Sequence, residues 1–467
     1  MVARLSLLIL LLIYFCVGGL YVVNTPAWQV PDEPAHYNYV RYVAEHAALP
    51  VLRAGDYDAL YLERLKSQHF PGDLSIAAVR YESWQPPLYY ALAAPVFALT
   101  GGQVGVVRFF SLALGGLGVV LVYALARRAR PHAPGLALAA AGFWAFVPQH
   151  LAMLAGINND SLAEVIMLLG VWRTLETFFA PADFYAHDPG ISAYLAAQFP
   201  VAQHRPPLRH LVALGVVLGL GFWTKLSIYP LAGVVGAALL LWAKRERWAG
   251  RVWLNAALWV VIPAVLIGGL WWGRNVLTYG GLDVFGSQRH DAIVVGQLRA
   301  SEALAQWGPE RYLSNFAQIT FQSFWGQFGW MGVVMDRRVY DALKLYSLLL
   351  GIGAAGWIMG PRRVSPAQRD LALVLGLTLL LAIAVYLYYN LTFVQFQGRY
   401  VYPALSVIAL GAALSLRQWA VWIVRLTRLP RAWVPAALFG LPLLPVAAQM
   451  ALTVFALYRF IIPALVL

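Results

Sequence analysis

The sequence predicts an all-α polytopic membrane protein, and three observations lead there. Hydrophobic residues make up 61% of the chain and charged residues only 12%, with a mean hydropathy of +0.65, a balance outside the range of water-soluble globular domains. The apolar residues fall into runs long enough to cross a bilayer. The excess of basic residues, a formal net charge of +13, sits in short clusters between those runs, as the positive-inside rule requires, rather than on a face suited to nucleic acid. The bilayer is the partner this charge implies, with no nucleic acid. A single cysteine, Cys16, lies inside the first apolar run, which excludes an internal disulfide framework and a thiolate zinc cluster. Chemistry must therefore rest on carboxylates and bases.

The elements are arranged as one integral membrane domain over residues 1–467. Residues 5–23, behind Arg4, read as an uncleaved first transmembrane helix. A cleaved signal peptide is the alternative, and either reading leaves the next segment outside. That first outer loop, 24–105, opens with Asn-Thr-Pro-Ala-Trp-Gln-Val-Pro-Asp-Glu-Pro-Ala-His-Tyr. Proline restricts both itself and its predecessor, so Pro31 and Pro34 lock Asp32 and Glu33 between them and Glu33 reads as a helix N-cap. From Pro34 to Ala47, Tyr37, Val40, Val43 or Ala44, and Ala47 recur at helical spacing, an interfacial helix with an acidic start. Residues 86–100, interrupted by Pro95, are too short to cross; a re-entrant or interfacial helix there keeps Arg127, Arg128 and Arg130 inside.

Beyond it, spans are expected at 106–126, 135–154, 161–180, 208–223, 226–243, 253–272, 338–359, 370–389, 400–416 and 433–456, making eleven with the first. Transmembrane helices 2–7 thus occupy 106–272, a second long outer loop 273–337, and helices 8–11 residues 338–456. The inner connections carry Arg127 to Arg130, Arg205 and Arg209, Lys244 to Arg251, Arg362 to Arg369, and Arg417 to Arg431. Every short inner loop is basic, which makes the topology self-consistent. Residues 316–325 of the second outer loop form another interfacial helix, and the inner stretch 181–207 is an insertion without apolar period.

Polar residues gather where the spans meet the outer boundary: Asn158, Asn159 and Asp160; Lys225; Arg274 and Asn275; Gln397, Gly398, Arg399 and Tyr400. Singly, Lys225 could snorkel, Arg274 could cap a helix C-terminus and Asp160 an N-terminus. Together they describe a cavity with two acids and several cations at membrane depth, where ionisable groups are costly unless they serve a function. Transfer of a sugar from a polyprenyl phosphate needs that inventory: a base for the acceptor hydroxyl and cations for the departing phosphate, in a single displacement with inversion.

The Pro-Asp-Glu-Pro-x-His loop, Trp84-Gln85-Pro86-Pro87-Leu88-Tyr89-Tyr90, Asn158-Asn159-Asp160, Trp272-Gly273-Arg274-Asn275 and Gln397-Gly398-Arg399-Tyr400 together resemble the bacterial GT-C glycosyltransferases. These are relatives of protein O-mannosyltransferases, aminoarabinose transferases and glycosyltransferase family 39 proteins. The resemblance implies a polyprenyl-phosphate sugar donor, Asp32 as catalytic base with Glu33 beside it, and Asp160 helping to bind the acceptor together with His36 and Asn159. Relatives often carry a basic residue just before Pro-Pro, where this chain has Gln85. The donor phosphate therefore falls to Arg399, Arg274 or Lys225, with Gln85 and Tyr400 at its side. The acceptor is a protein, a lipid or a glycan. No cofactor is called for; the two outer acids could hold a divalent cation, but no His-rich ligand spacing supports one. The expected location is the plasma (inner) membrane, multi-pass, with the site facing outward. A transporter or flippase of lipid-linked sugar, or an envelope assembly protein, is the competing class; the first would show internal repeats, which the sequence lacks.

Overall fold

Apolar runs punctuated by proline, glycine and basic clusters produce an assembly of helices. A computed structural model describes residues 2–130, 132–179, 206–360 and 364–465. Of the expected insertion 181–207, residues 181–205 lie outside the described residues, as does Arg362 of the inner connections.

Helix α1 (Val2–Asn24) is apolar from Leu7 to Val23, and its last side chain, Asn24, turns back to the Leu20 carbonyl at 2.8 Å. The segment after α1 then supplies α2 (Glu33–His46) and α3 (Ala59–Ser67), the latter started by the Asp58 carboxylate accepting from the Tyr61 amide. Helix α4 (Leu88–Thr100) has 13 residues, about 20 Å at 1.5 Å per residue and short of a bilayer core. Helix α5 (Val104–Ala129) is followed by α6 (Pro134–Ala145), α7 (Pro148–Leu154), α8 (Asp160–Phe178) and α9 (Leu208–Phe222). Next come α10 (Pro230–Arg245) and α11 (Gly250–Tyr279). The segment after α11 forms α12 (Ser287–Ile293), α13 (Ala300–Trp325), kinked at Gly308, and a two-stranded antiparallel hairpin, Gln327–Phe328 with Val333–Val334. Helices α14 (Arg337–Met359), α15 (Pro366–Thr392), α16 (Leu405–Leu426), α17 (Val434–Gly440), α18 (Leu443–Ala456) and the short α19 (Ile462–Leu465) complete the order.

Eight segments among the described residues are long and apolar enough to cross a membrane, nine if α6 and α7 count as one broken span. Eleven were expected, and the differences have local causes. The span expected at 135–154 is bent by 68° between α6 and α7, where Pro148 removes a helical amide. The one expected at 161–180 is α8, whose Asp160, Glu164, Arg173 and Glu176 make it too polar to count by composition. The one at 208–223 has only 15 helical residues.

Helix α6 is the centre of the bundle: Gly135 to Ala145 are all buried. Its alanines and glycines let α1, α5, α16 and α18 approach closely, the usual basis of packing where apolar contact alone gives no drive. Gly118 of α5 lies against Trp144 so closely that a methyl group there would collide with the indole. The segments after α1 and after α11 share a small apolar core of their own, with Ala35, Leu62, Leu65, Phe70, Val79, Tyr81 and Val294. Trp330, in the hairpin turn, stacks on Phe70 and donates to the Trp28 carbonyl at 2.9 Å, tying the two segments into one roof.

Candidate active site

The expected acidic pair divides sharply. Asp32, not Glu33, precedes the first helical turn of α2, with φ of 67°, a left-handed conformation that costs a non-glycine residue about 1–2 kcal/mol. The amides of Ala35 and His36 donate to its carbonyl at 3.1 Å, so the carboxylate is not spent on capping. Instead Tyr81 donates to Oδ1 at 2.8 Å and Arg399 to Oδ2 at 3.1 Å. Burial alone would raise this carboxyl, but the Arg399 guanidinium and the Tyr81 hydroxyl outweigh it and hold Asp32 below its usual range.

Glu33 points the other way and is fully buried. Arg108 grips it at both oxygens, Nε to Oε1 at 2.7 Å and Nη2 to Oε2 at 2.6 Å. The Trp28 amide donates to Oε2 and the Ile157 amide to Oε1, at 2.9 and 3.1 Å. Arg108 spends its other donors on the carbonyls of Val22, Thr25 and Pro26. Four donors fill the roughly four lone-pair positions of a carboxylate. Glu33 is thus a knot joining α1, α2, α5 and the turn before α8, and the catalytic part envisaged for it is withdrawn.

Asp160 is the first residue of α8; the Asn158 side chain accepts from its amide at 2.7 Å. Its carboxylate takes Lys225, which comes just after α9, at 2.5 Å. Both side chains remain partly open, 31% and 20% exposed, as does Asp32 at 28%. Two acid–cation couples, Asp32 with Arg399 and Asp160 with Lys225, therefore lie within electrostatic reach of one another, and Tyr400 lies within reach of both acids.

Arg399 is aimed by its own turn. Gly398 donates to Ser323 Oγ at 2.7 Å, and a methyl group on it would strike the Thr320 carbonyl of α13. Gln397 Oε1 receives Arg399 Nε at 2.7 Å, and the guanidinium lies 5.4 Å from the Tyr400 ring centroid. Arg274, by contrast, does not join the acids. It donates to the Pro50 carbonyl, Asn275 and Tyr279 and packs over Trp271 and Tyr279, anchoring the first outer loop to α11.

His36 bonds Tyr90 through Nδ1 at 2.8 Å. Burial and then the Lys225 charge push it down to about 3, so it is neutral at physiological pH. Asn159 is fully buried, with Nδ2 donating to Gln85 Oε1 at 3.4 Å. The expected cluster thus converges apart from Glu33 and Arg274.

Further residues of the site are not singled out by the sequence. Tyr81 and Glu82 sit just before Trp84-Gln85-Pro86-Pro87, and Glu82 is pushed up to about 7 by burial and then by the Asp32 charge. Arg108, a lone cation within an apolar span, carried a signal that was available. So did His150 with Glu164, a buried pair at 2.6 Å linking α7 to α8 one turn beyond Asp160. Among the described residues no three His, Cys, Asp or Glu side chains gather as metal ligands.

A family model described as dolichyl-phosphate-mannose-protein mannosyltransferase matches residues 84–180, the segment from Trp84 through α8. ArnT from Cupriavidus metallidurans in the apo state superposes with a TM-score of 0.53 at 14% identity, covering 100% of this chain and 74% of that one. The archaeal oligosaccharyltransferase AglB from Archaeoglobus fulgidus, in complex with an inhibitory peptide and a dolichol-phosphate, superposes with a TM-score of 0.53 at 13% identity. That match covers 97% of this chain and 56% of AglB. No curated protein matches by sequence. The architecture is the GT-C fold, in a helical membrane protein.

Proposed function

We propose that this chain is a membrane glycosyltransferase that moves a sugar from a polyprenyl phosphate to an acceptor hydroxyl. The observation carrying the reading is the double couple: each acid suited to the acceptor is covered by a cation suited to a phosphate. A phosphate entering between Arg399 and Lys225 draws both cations toward itself through charge-assisted hydrogen bonds. That uncovers Asp32 and Asp160 as the donor arrives. Asp32 then takes the acceptor proton, the acceptor oxygen bonds to the anomeric carbon, and the bond from that carbon to the phosphate oxygen breaks. The lipid phosphate leaves with the electron pair, held by the same cations, and the anomeric centre inverts. Asp160 orients the acceptor, with neutral His36 as a hydrogen-bonding neighbour. The matched mannosyltransferase segment contains Asn159 and Asp160, and the dolichol-phosphate of the AglB complex supports a lipid-phosphate ligand for this fold. The basic inner loops support a site on the outer face of the plasma membrane.

The purified protein in nanodiscs, given a panel of radiolabelled polyprenyl-phosphate sugars and hydroxyl acceptors, is expected to release the lipid phosphate from at least one donor. A protein that instead carries an intact donor across a vesicle membrane, with no loss of sugar, contradicts transfer and favours a transporter.

A further inference from the structure

The turn from Tyr81 to Gln85 runs between the two acids. Its first residue holds Asp32 through the Tyr81 hydroxyl and its last reaches Asn159, next to Asp160. The turn is fixed: Gln85 donates from its backbone to the Glu82 carbonyl at 3.0 Å and receives the Tyr39 hydroxyl on its own carbonyl at 3.1 Å. The Gln85 side chain bridges the two, accepting from Asn159 at one end and lying beside the Glu82 carboxylate at the other. Three polar atoms on that turn and on its partner Asn159 are buried without a protein partner: Glu82 Oε2, Asn159 Oδ1 and Trp84 Nε1. A buried polar atom without a partner costs about 1–3 kcal/mol, more if charged, so a ligand that pairs them recovers that cost.

We infer that Glu82, Asn159 and Trp84, held by Gln85, form a subsite for the hydroxyls of the donor sugar. The inference rests on the proposed transfer from a lipid phosphate. Two acceptors and one donor match neighbouring ring hydroxyls, each of which can both give and accept a hydrogen bond. A phosphate fits badly, because a carboxylate and an amide oxygen would face its negative oxygens. Gln85, expected beside the phosphate, instead aligns the groups that face the sugar. The placement agrees with the reaction: Glu82 comes next after the residue that holds the base, and the cations for the phosphate lie on the same pocket.

The test measures binding to the full-length protein in nanodiscs. The probes are decaprenyl phosphate, bare or carrying mannose, glucose or galactose. The readout is the gain in affinity that the sugar adds over the bare lipid. For the best ester this gain is expected to fall roughly tenfold in Glu82→Gln at pH 8, a change the size of one hydrogen bond to a charged group, each gain being taken against the same protein's own bare-lipid affinity. In the wild type the gain should grow between pH 6 and pH 8 as Glu82, placed near 7, ionises; in the variant it should be flat. Trp84→Phe, which removes only the indole N–H, should lower the gain at every pH alike. A Glu82→Gln protein that keeps both the gain and its pH slope overturns the subsite. So does a wild type that binds the bare lipid and every ester equally, which leaves the lipid-phosphate reading standing. Binding of neither bare lipid nor ester overturns both.

Discussion

Adjacent carboxylates meet opposite surroundings at Asp32 and Glu33, and their variants should fail in different ways. Glu33→Gln removes the charge from a fully buried pair with Arg108. Breaking such a pair costs about 3–5 kcal/mol, so the variant should melt markedly lower while its folded fraction still binds donor. Arg399→Ala should weaken donor binding far more than acceptor binding, and equal donor affinity in a direct assay would move the phosphate to Lys225. His36 adds a pH effect on stability. Its folded value of about 3 lies below the ordinary 6.5, so the folded state binds fewer protons than the unfolded chain. The stability it contributes is complete above pH 6.5 and declines as the pH falls through that value toward 3. Thermal melts between pH 7 and pH 5 should fall more steeply for the wild type than for His36→Gln; parallel curves would contradict the assignment. The acidic pair was legible in the sequence, because prolines on both sides restrict the backbone. Which acid was free was not, because the partner that saturates Glu33 lies 75 residues away.

Elements that position charge were harder to read than elements that cross the bilayer. The long apolar helices were legible from hydropathy alone, since a run of that length has few other solutions. The break between α6 and α7 was signalled only by Pro148. Its consequence, seating Met153 Sδ 3.5 Å from Arg399, depends on a turn 246 residues later. Helix α8 looked like an ordinary span because its charges were counted without their partners: His150 for Glu164, Lys225 for Asp160, and Glu176 for Arg173. The turn carrying Arg399 depends on one close approach. Gly398→Ala must push the turn off α13, so donor affinity should drop toward that of Arg399→Ala although no charged group is removed. Wild-type affinity in this variant would show that the turn does not aim Arg399.

Across the whole molecule, transfer at the outer face requires the roof of outer segments and the pocket beneath it to face away from the basic loops. Single cysteines in a Cys16→Ser background test this at exposed positions: Ala54 and Leu282 in the outer segments, Met359 and Leu426 at the opposite ends of spans. An impermeant thiol reagent on intact spheroplasts should label the first two, and the last two only after the membrane is opened; the reverse pattern would turn the site inward. The fold was legible in the sequence because it is an average over long apolar runs, whereas the site depends on pairs such as Asp32 with Arg399, 367 residues apart, which no local pattern reports. The proposed sugar transfer depends above all on Asp32 as the base. The most direct test follows radiolabelled sugar from a polyprenyl-phosphate donor to acceptor, comparing the wild type with Asp32→Asn at matched donor occupancy. Turnover in the variant should be roughly 10² to 10⁴ times slower with donor still bound, and equal transfer by the two proteins would contradict the proposed mechanism.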